Sequence, residues 1–110
     1  MTEYVFLYRN GEKMSPETMQ AQMGKWRSWL EDLGKKGVLK NAGQPLERSG
    51  KLVSGSARTI TDGLFAEAKD VIGGYTIIEA QNIDQAVELS RGCPIFDVGG
   101  GVEIRPTMKM

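Results

Sequence analysis

Residues 61–80 read TDGLFAEAKDVIGGYTIIEA, and the change of pattern inside this stretch decides the fold. Its first half is a polar turn whose charged side chains are Asp62, Glu67, Lys69 and Asp70. Its second half, residues 71–80, places apolar side chains on both sides of an extended chain, which predicts a central strand. Gly73-Gly74 predicts a bulge there, or a close approach by another segment. A polar turn that runs into a buried strand is typical of a pocket mouth.

Three further strand regions are predicted around this stretch. Residues 3–9 are apolar on both faces, as expected for a second central strand. Residues 38–61 show short strands and turns, which predict an outer strand and a hairpin somewhere in 41–59. In the closing strand, residues 101–106, one face carries Val102 and Ile104 and the other carries Glu103 and Arg105.

Two helices are predicted from their capping residues and apolar stripes. The first begins at Ser15-Pro16, and its core stripe is expected to be Met19, Met23, Trp26, Leu30 and Leu33, widened by Trp29. The second begins after Asn82, and its core face is expected to be Ile83, Ala86, Val87 and Ser90. Gly92 and Pro94 end this helix, and a glycine-rich loop is expected over 95–101.

This order of elements predicts a single domain over residues 1–110 with a ferredoxin-like βαββαβ fold of the α+β class. Both helices should cover one face of an antiparallel four-stranded sheet, with an extra short hairpin before the turn at residue 63. The two central strands are apolar on their second face as well. Because large exposed apolar faces are rare on monomers, the sequence predicts a homodimer that covers this face.

Composition excludes several kinds of partner and chemistry. The 14 basic and 14 acidic side chains cancel, so we expect no nucleic acid and no membrane as partner. Apolar stretches are far shorter than the ~18 residues of a membrane span, and no signal peptide is visible. The single cysteine, Cys93, cannot form an intrachain disulfide, which favours a cytoplasmic location. No cofactor is indicated.

The chain contains no histidine. This excludes a Ser-His-Asp triad, a Cys-His dyad and a metal held by histidine within the chain. Acid–base chemistry would therefore have to come from Asp, Glu, Lys, Tyr or Cys93.

The candidate ligand-binding residues lie in the polar turn and on two predicted strands: Asp62, Lys69, Tyr75, Glu103 and Arg105. Each has a simpler interpretation. Asp62 suits a turn cap, Lys69 a solvated loop and Tyr75 core packing. Glu103 and Arg105 would point between the two sheets of a dimer, where they either pair with each other or bind a ligand. An arginine there favours a carboxylate or another planar anion.

Several of these motifs together resemble a known family. The run DGLFAEAK at 62–69, followed by IGGY at 72–75, resembles the signature of the DGPF subgroup of YCII-related proteins. IDQAVE at 83–88, Cys93-Pro94 and VEIRP at 102–106 are similar to later parts of that family. Leu64 stands where the family usually has proline, so the turn loses a fixed φ angle. The resemblance implies a dimeric α/β-barrel of two face-to-face sheets with pockets between them.

The resemblance also bears on function. Some relatives are thought to be enzymes that use a His–Asp pair, which this chain cannot supply because it has no histidine. Some DGPF relatives are associated with extracytoplasmic-function sigma factors, which could act here only as a separate partner. Two functions stay open. One is a non-catalytic, accessory or regulatory module that binds a small anion; the other is a lyase or isomerase with Asp62 or Glu103 as base.

Overall fold

The computed structural model describes residues 1–9, 14–47, 49–62 and 72–110. In chain order the elements are β1 (Thr2–Arg9), α1 (Pro16–Lys35), β2 (Leu39–Asn41), β3 (Lys51–Ser54), β4 (Thr59–Asp62), β5 (Ile72–Ala80), α2 (Ile83–Ser90), a 3₁₀ helix (Pro94–Val98) and β6 (Gly101–Pro106). Four strands form an antiparallel sheet in the order β2-β5-β1-β6, and β3 pairs with β4 as a separate hairpin. The predicted ferredoxin-like α+β fold is confirmed, with β1 and β5 at the centre.

Alternation along the two central strands separates a buried face from a half-buried one. On the buried face Tyr4 lies opposite Ile78, and Phe6 lies opposite Thr76. The helices add Trp29, Leu33 and Ala86 to this core, and the ring of Trp29 stacks on Phe6 with their centroids 6.2 Å apart. Both helices therefore pack on one face of the sheet, as the sequence predicts.

The predicted start of α1 is confirmed, but part of its core stripe is wrong. Ser15 accepts a hydrogen bond from the Thr18 backbone N–H at 3.2 Å, which is the expected N-cap. Met19 and Met23 are 49% and 57% exposed, and Gln22 is buried in their place. The orientation of the helix is set by Trp26, which packs edge-on against Tyr8 with centroids 4.6 Å apart. Residues four positions apart share a helix face, so Gln22 follows Trp26 inward.

The predicted start of α2 is also confirmed, and its core face is corrected. Asn82 accepts a hydrogen bond from the Gln85 backbone N–H at 2.8 Å. Ala86 and Ser90 are buried, whereas Ile83 and Val87 are 47% and 37% exposed and Leu89 joins the core instead. Trp29 Nε1 donates to the Leu89 carbonyl at 3.3 Å, which draws that side of the helix toward the core. The expected glycine-rich loop begins as the 3₁₀ helix.

The Gly73-Gly74 pair produces both of the features that the sequence predicts for it. The ladder shifts register at Gly73, since Tyr8 pairs with Gly74 and Arg9 with Ile72. Residues 43–46 also lie against this part of β5, and the Leu46 backbone N–H donates to the Gly73 carbonyl at 2.8 Å. A Cβ on Gly74 would come within 2.9 Å of the Gln44 carbonyl oxygen, so the close approach needs glycine.

No helix in the described ranges is both long and apolar enough to cross a lipid bilayer.

Candidate functional site

The half-buried side of the sheet carries no helix. We call it the helix-free face, and its side chains are Glu3, Val5, Leu7, Arg9, Tyr75, Ile77, Glu79, Glu103 and Arg105. Its centre is apolar, with Val5 opposite Ile77 and Leu7 opposite Tyr75. Charged side chains border that centre along β6 and at the end of β1. Others lie at the opposite end of the face, where β1 begins and β5 ends. An apolar surface with a few polar groups at its rim is the usual composition of a ligand or partner site.

Glu103 is the charged centre of the β6 side. Arg9 Nη1 donates to its Oε1 at 2.6 Å, and Arg105 Nη1 lies 3.8 Å from its Oε2. The side chains of Arg9 and Glu103 are 27% and 33% exposed, whereas that of Arg105 is 67% exposed. Glu103 is thus held mainly by Arg9, and the Arg105 guanidinium keeps most of its donors accessible.

Tyr75 shares a row of the helix-free face with Glu103. Both residues lie opposite Leu7, one on β5 and one on β6, so Leu7 separates them. Their backbones are two strand spacings apart, or about 10 Å.

Asp62 is not in the turn where the sequence predicts it. It is the last residue of β4, opposite Lys51, and its carboxylate lies 3.3 Å from Lys51 Nζ. Both side chains are mostly exposed. The hairpin ends later than expected, because β4 pairs with β3 as far as Asp62. Lys69, Glu67, Asp70 and Leu64 lie outside the described residues.

The structure therefore places three of the five candidate residues on one face: Tyr75, Glu103 and Arg105. Sequence reasoning missed Arg9. A signal for it existed, because Arg9 continues the alternation of Val5 and Leu7 and so shares their face.

A second charged cluster lies at the other end of the helix-free face. Lys40 Nζ is 3.3 Å from both Glu79 Oε1 and Glu3 Oε2. Its pKa is raised, first by the hydrogen bond to Glu79 and then by that to Glu3. A groove of about 450 Å³ surrounds it, lined also by Met1, Thr2, Thr107 and Lys109. Within the described ranges, no three Cys, Asp or Glu side chains are placed to hold a metal ion.

Buried polar groups beneath the helices form a separate chain. Tyr8 Oη donates to Thr76 Oγ1 at 2.5 Å, and Thr76 Oγ1 donates to the Ala42 carbonyl at 3.0 Å. Burial raises the pKa of Tyr8 well above its ordinary value. Burial likewise raises the pKa of the Cys93 thiol to about 12, which supports a packing role for that residue.

A family model of the YCII-related domain matches residues 2–110. Among solved structures, the chain is similar to 5-chloro-2-hydroxyhydroquinone dehydrochlorinase from Burkholderia phenoliruptrix in complex with 2,5-dihydroxybenzoquinone, with a TM-score of 0.58 and 17% identity over 98% of this chain and 95% of that chain. At this identity the similarity concerns the fold alone. No curated protein matches the chain. Because the family model covers residues 2–110, nearly the whole chain, the chain belongs to the YCII-related family.

Proposed function

We propose that this chain is a non-catalytic module that binds a small planar anion between the helix-free faces of a homodimer. The observation that carries the proposal is the position of Arg105. Its guanidinium lies 3.8 Å from Glu103, and its side chain is 67% exposed at the edge of an apolar face, opposite Val5. A guanidinium in that position can donate two parallel hydrogen bonds to a carboxylate or an enolate.

The dimer is supported by the apolar centre of the same face. Val5, Leu7 and Ile77 carry no cover from the helices, since both helices pack on the opposite side of the sheet. Two copies placed face to face would remove these side chains from water. They would also lower the dielectric constant around Arg105, which strengthens its interaction with an anion.

The row of Tyr75, Leu7 and Glu103, with Arg105 in the next row on β6, supports a planar ligand as the chemical class. A flat ring suits Leu7, and ring oxygens suit the Tyr75 phenol on one side and Arg105 on the other. The similar dehydrochlorinase was solved with 2,5-dihydroxybenzoquinone, a planar molecule with oxygens around its ring. We take that compound as the first probe, together with benzoate as a simple planar carboxylate.

The alternative function, a lyase or isomerase with Glu103 as base, has less support. Glu103 Oε1 already accepts a short hydrogen bond from Arg9, and Oε2 faces Arg105. Asp62, the other candidate base, is paired with Lys51 on the hairpin.

The proposal of a binding module includes membership of the DGPF subgroup, a cytoplasmic location and a separate sigma-factor partner. These rest on the motif at residues 62–69 and on the composition.

Calorimetric titration of both probes tests the proposal. We expect binding to the wild-type protein and about tenfold weaker binding to Arg105→Lys, because lysine cannot donate the paired hydrogen bonds. Arg91→Lys is the matched control, since Arg91 is the C-cap of α2 and has its own acidic neighbour, Glu88. Failure of the wild-type protein to bind either probe, or equal binding by Arg105→Lys, would contradict the proposal.

A further inference from the structure

The hairpin of β3 and β4, residues 51–62, stands apart from the main sheet, and we call it the arm. Its strands hydrogen-bond to each other and not to the four-stranded sheet. Every residue of the arm is exposed except Thr61, which is half-buried. An isolated two-stranded hairpin is marginally stable in water and usually needs an apolar surface to pack on. The arm therefore lacks a cover among the described residues of its own chain.

One side of the arm is suited to such packing. Val53 lies directly opposite Ile60, and these β-branched side chains are 59% and 63% exposed. The ion pair of Lys51 and Asp62 borders them on the same side. The other side is more polar, since Leu52 is accompanied by Ser54, Thr59 and Thr61. We call the side with Val53 and Ile60 the apolar arm face.

The accessible surface of the chain indicates how much cover is needed. It is 7880 Å², whereas a compact monomer of this mass exposes roughly 6,000 Å². The radius of gyration is 15.3 Å, compared with about 13 Å for a compact domain of this length. The excess of roughly 1,900 Å² lies within the ~1,000–2,500 Å² that each partner buries in an obligate homodimer. A second copy can therefore cover both the helix-free face and the arm.

The arm is attached where a second copy would lie. The preceding residues 44–46 pair with β5, through Tyr75 N–H to the Gln44 carbonyl at 3.4 Å and Leu46 N–H to the Gly73 carbonyl at 2.8 Å. Tyr75 itself belongs to the helix-free face. The arm thus leaves the sheet at the border of the face on which the homodimer is proposed to form, and its own contact would continue that interface.

We propose that the apolar arm face docks on a second copy of this chain, so that each protomer of the dimer is held by the arm of the other. This inference rests on the homodimer of the proposed function. It assigns to residues 51–62 a role in holding the two copies together, in addition to the contact between the sheets.

Sedimentation equilibrium of full-length variants tests the docking. We expect Ile60→Asp to raise the dimer Kd by about tenfold or more, because a carboxylate would be buried without a partner. Val53→Asp should act in the same way. Thr59→Asp is the matched control: it adds the same charge one residue away, on the other side of the arm, and should change the Kd by less than about twofold. Near-ultraviolet circular dichroism of Trp26 and Trp29 verifies that each variant is folded.

The outcomes separate the two proposals. A wild-type dimer whose Kd is unchanged in Ile60→Asp and Val53→Asp would overturn arm docking and leave the homodimer and the Arg105 site standing. Equal weakening by Thr59→Asp and Ile60→Asp would also overturn it, since the effect would not belong to the apolar arm face. A wild-type protein that is monomeric at high micromolar concentration would overturn both arm docking and the homodimer.

Discussion

Arg9 Nη1 lies 2.6 Å from Glu103 Oε1, so an ion pair joins the end of β1 to the middle of β6. Its two side chains are about one-third exposed or less, at 27% and 33%. Partial burial makes such a pair stronger than an ordinary surface pair, where screening by water leaves little net energy.

We expect Glu103→Gln to lower the free energy of unfolding by about 1 kcal/mol, because the Arg9 guanidinium loses its charged acceptor. Urea denaturation measures the change. Glu88→Gln is the control, since Glu88 pairs with Arg91 at 3.2 Å with both side chains about 70% exposed. That substitution should cost less than about 0.5 kcal/mol. Equal losses in the two variants would show that burial adds nothing to the Arg9 pair.

A second prediction concerns Gly43, which has a φ of +72°. A Cβ at this position would overlap the Tyr75 carbonyl oxygen, so Gly43→Ala must displace backbone. We expect a loss of about 3 kcal/mol, from the left-handed conformation and the clash together. Gly55→Ala separates the two causes, since Gly55 has a φ of +75° and open space around its Cβ. It should lose only about 1 kcal/mol, and thermal or urea unfolding compares the two variants.

A third prediction concerns Gln22, which is 6% exposed and whose Oε1 has no hydrogen-bond partner among the described residues. Gln22→Leu removes this buried acceptor and keeps a similar volume. We expect the variant to be about 1 kcal/mol more stable, because the desolvation penalty of the amide disappears. Gln20→Leu, on the exposed side of the same helix, should change stability by less than about 0.5 kcal/mol. A destabilised Gln22→Leu would mean that the amide has a partner in solution.

A fourth prediction concerns alkaline pH and Cys93. Burial raises the pKa of its thiol from 9.0 to about 12 in the folded state, so between these values the unfolded chain binds fewer protons than the folded one. Stability from this group is therefore fully present below pH 9 and is lost as the pH rises above it. We expect Cys93→Ala to show a shallower decline of unfolding free energy between about pH 9 and 10. Parallel pH profiles for the two proteins would contradict this account.

Most of the fold could be predicted from patterns among residues close together in the sequence. The alternation in β1 and β5 and the caps at Ser15 and Asn82 depend on neighbouring residues, so the sequence was sufficient for them. The exposed Met19 and Met23 could not be foreseen, because the rotation of α1 is set by the contact of Trp26 with Tyr8, eighteen positions away in the chain. Helical spacing gives the stripe its period but does not say which residue faces the sheet.

The candidate site was predicted less completely than the fold. The alternation of side chains along each strand was sufficient to place Tyr75, Glu103 and Arg105 on one face of the sheet, although their role in binding stays a prediction. Asp62 was misplaced because the end of the hairpin depends on its pairing with Lys51 on the other strand. Arg9 was missed because its importance depends on contact with Glu103, far along the chain.

The short strand β2 has a further consequence for how the sheet meets other chains. It has three residues, its pairing with β5 is irregular, and Lys40 lies at its centre. Beyond it, residues 44–46 occupy the hydrogen-bonding groups of Gly73 and Tyr75. Long, regular strand edges act as templates for aggregation, whereas short, interrupted and charged edges do not. On this side the protein is therefore protected against edge-to-edge growth into fibrils.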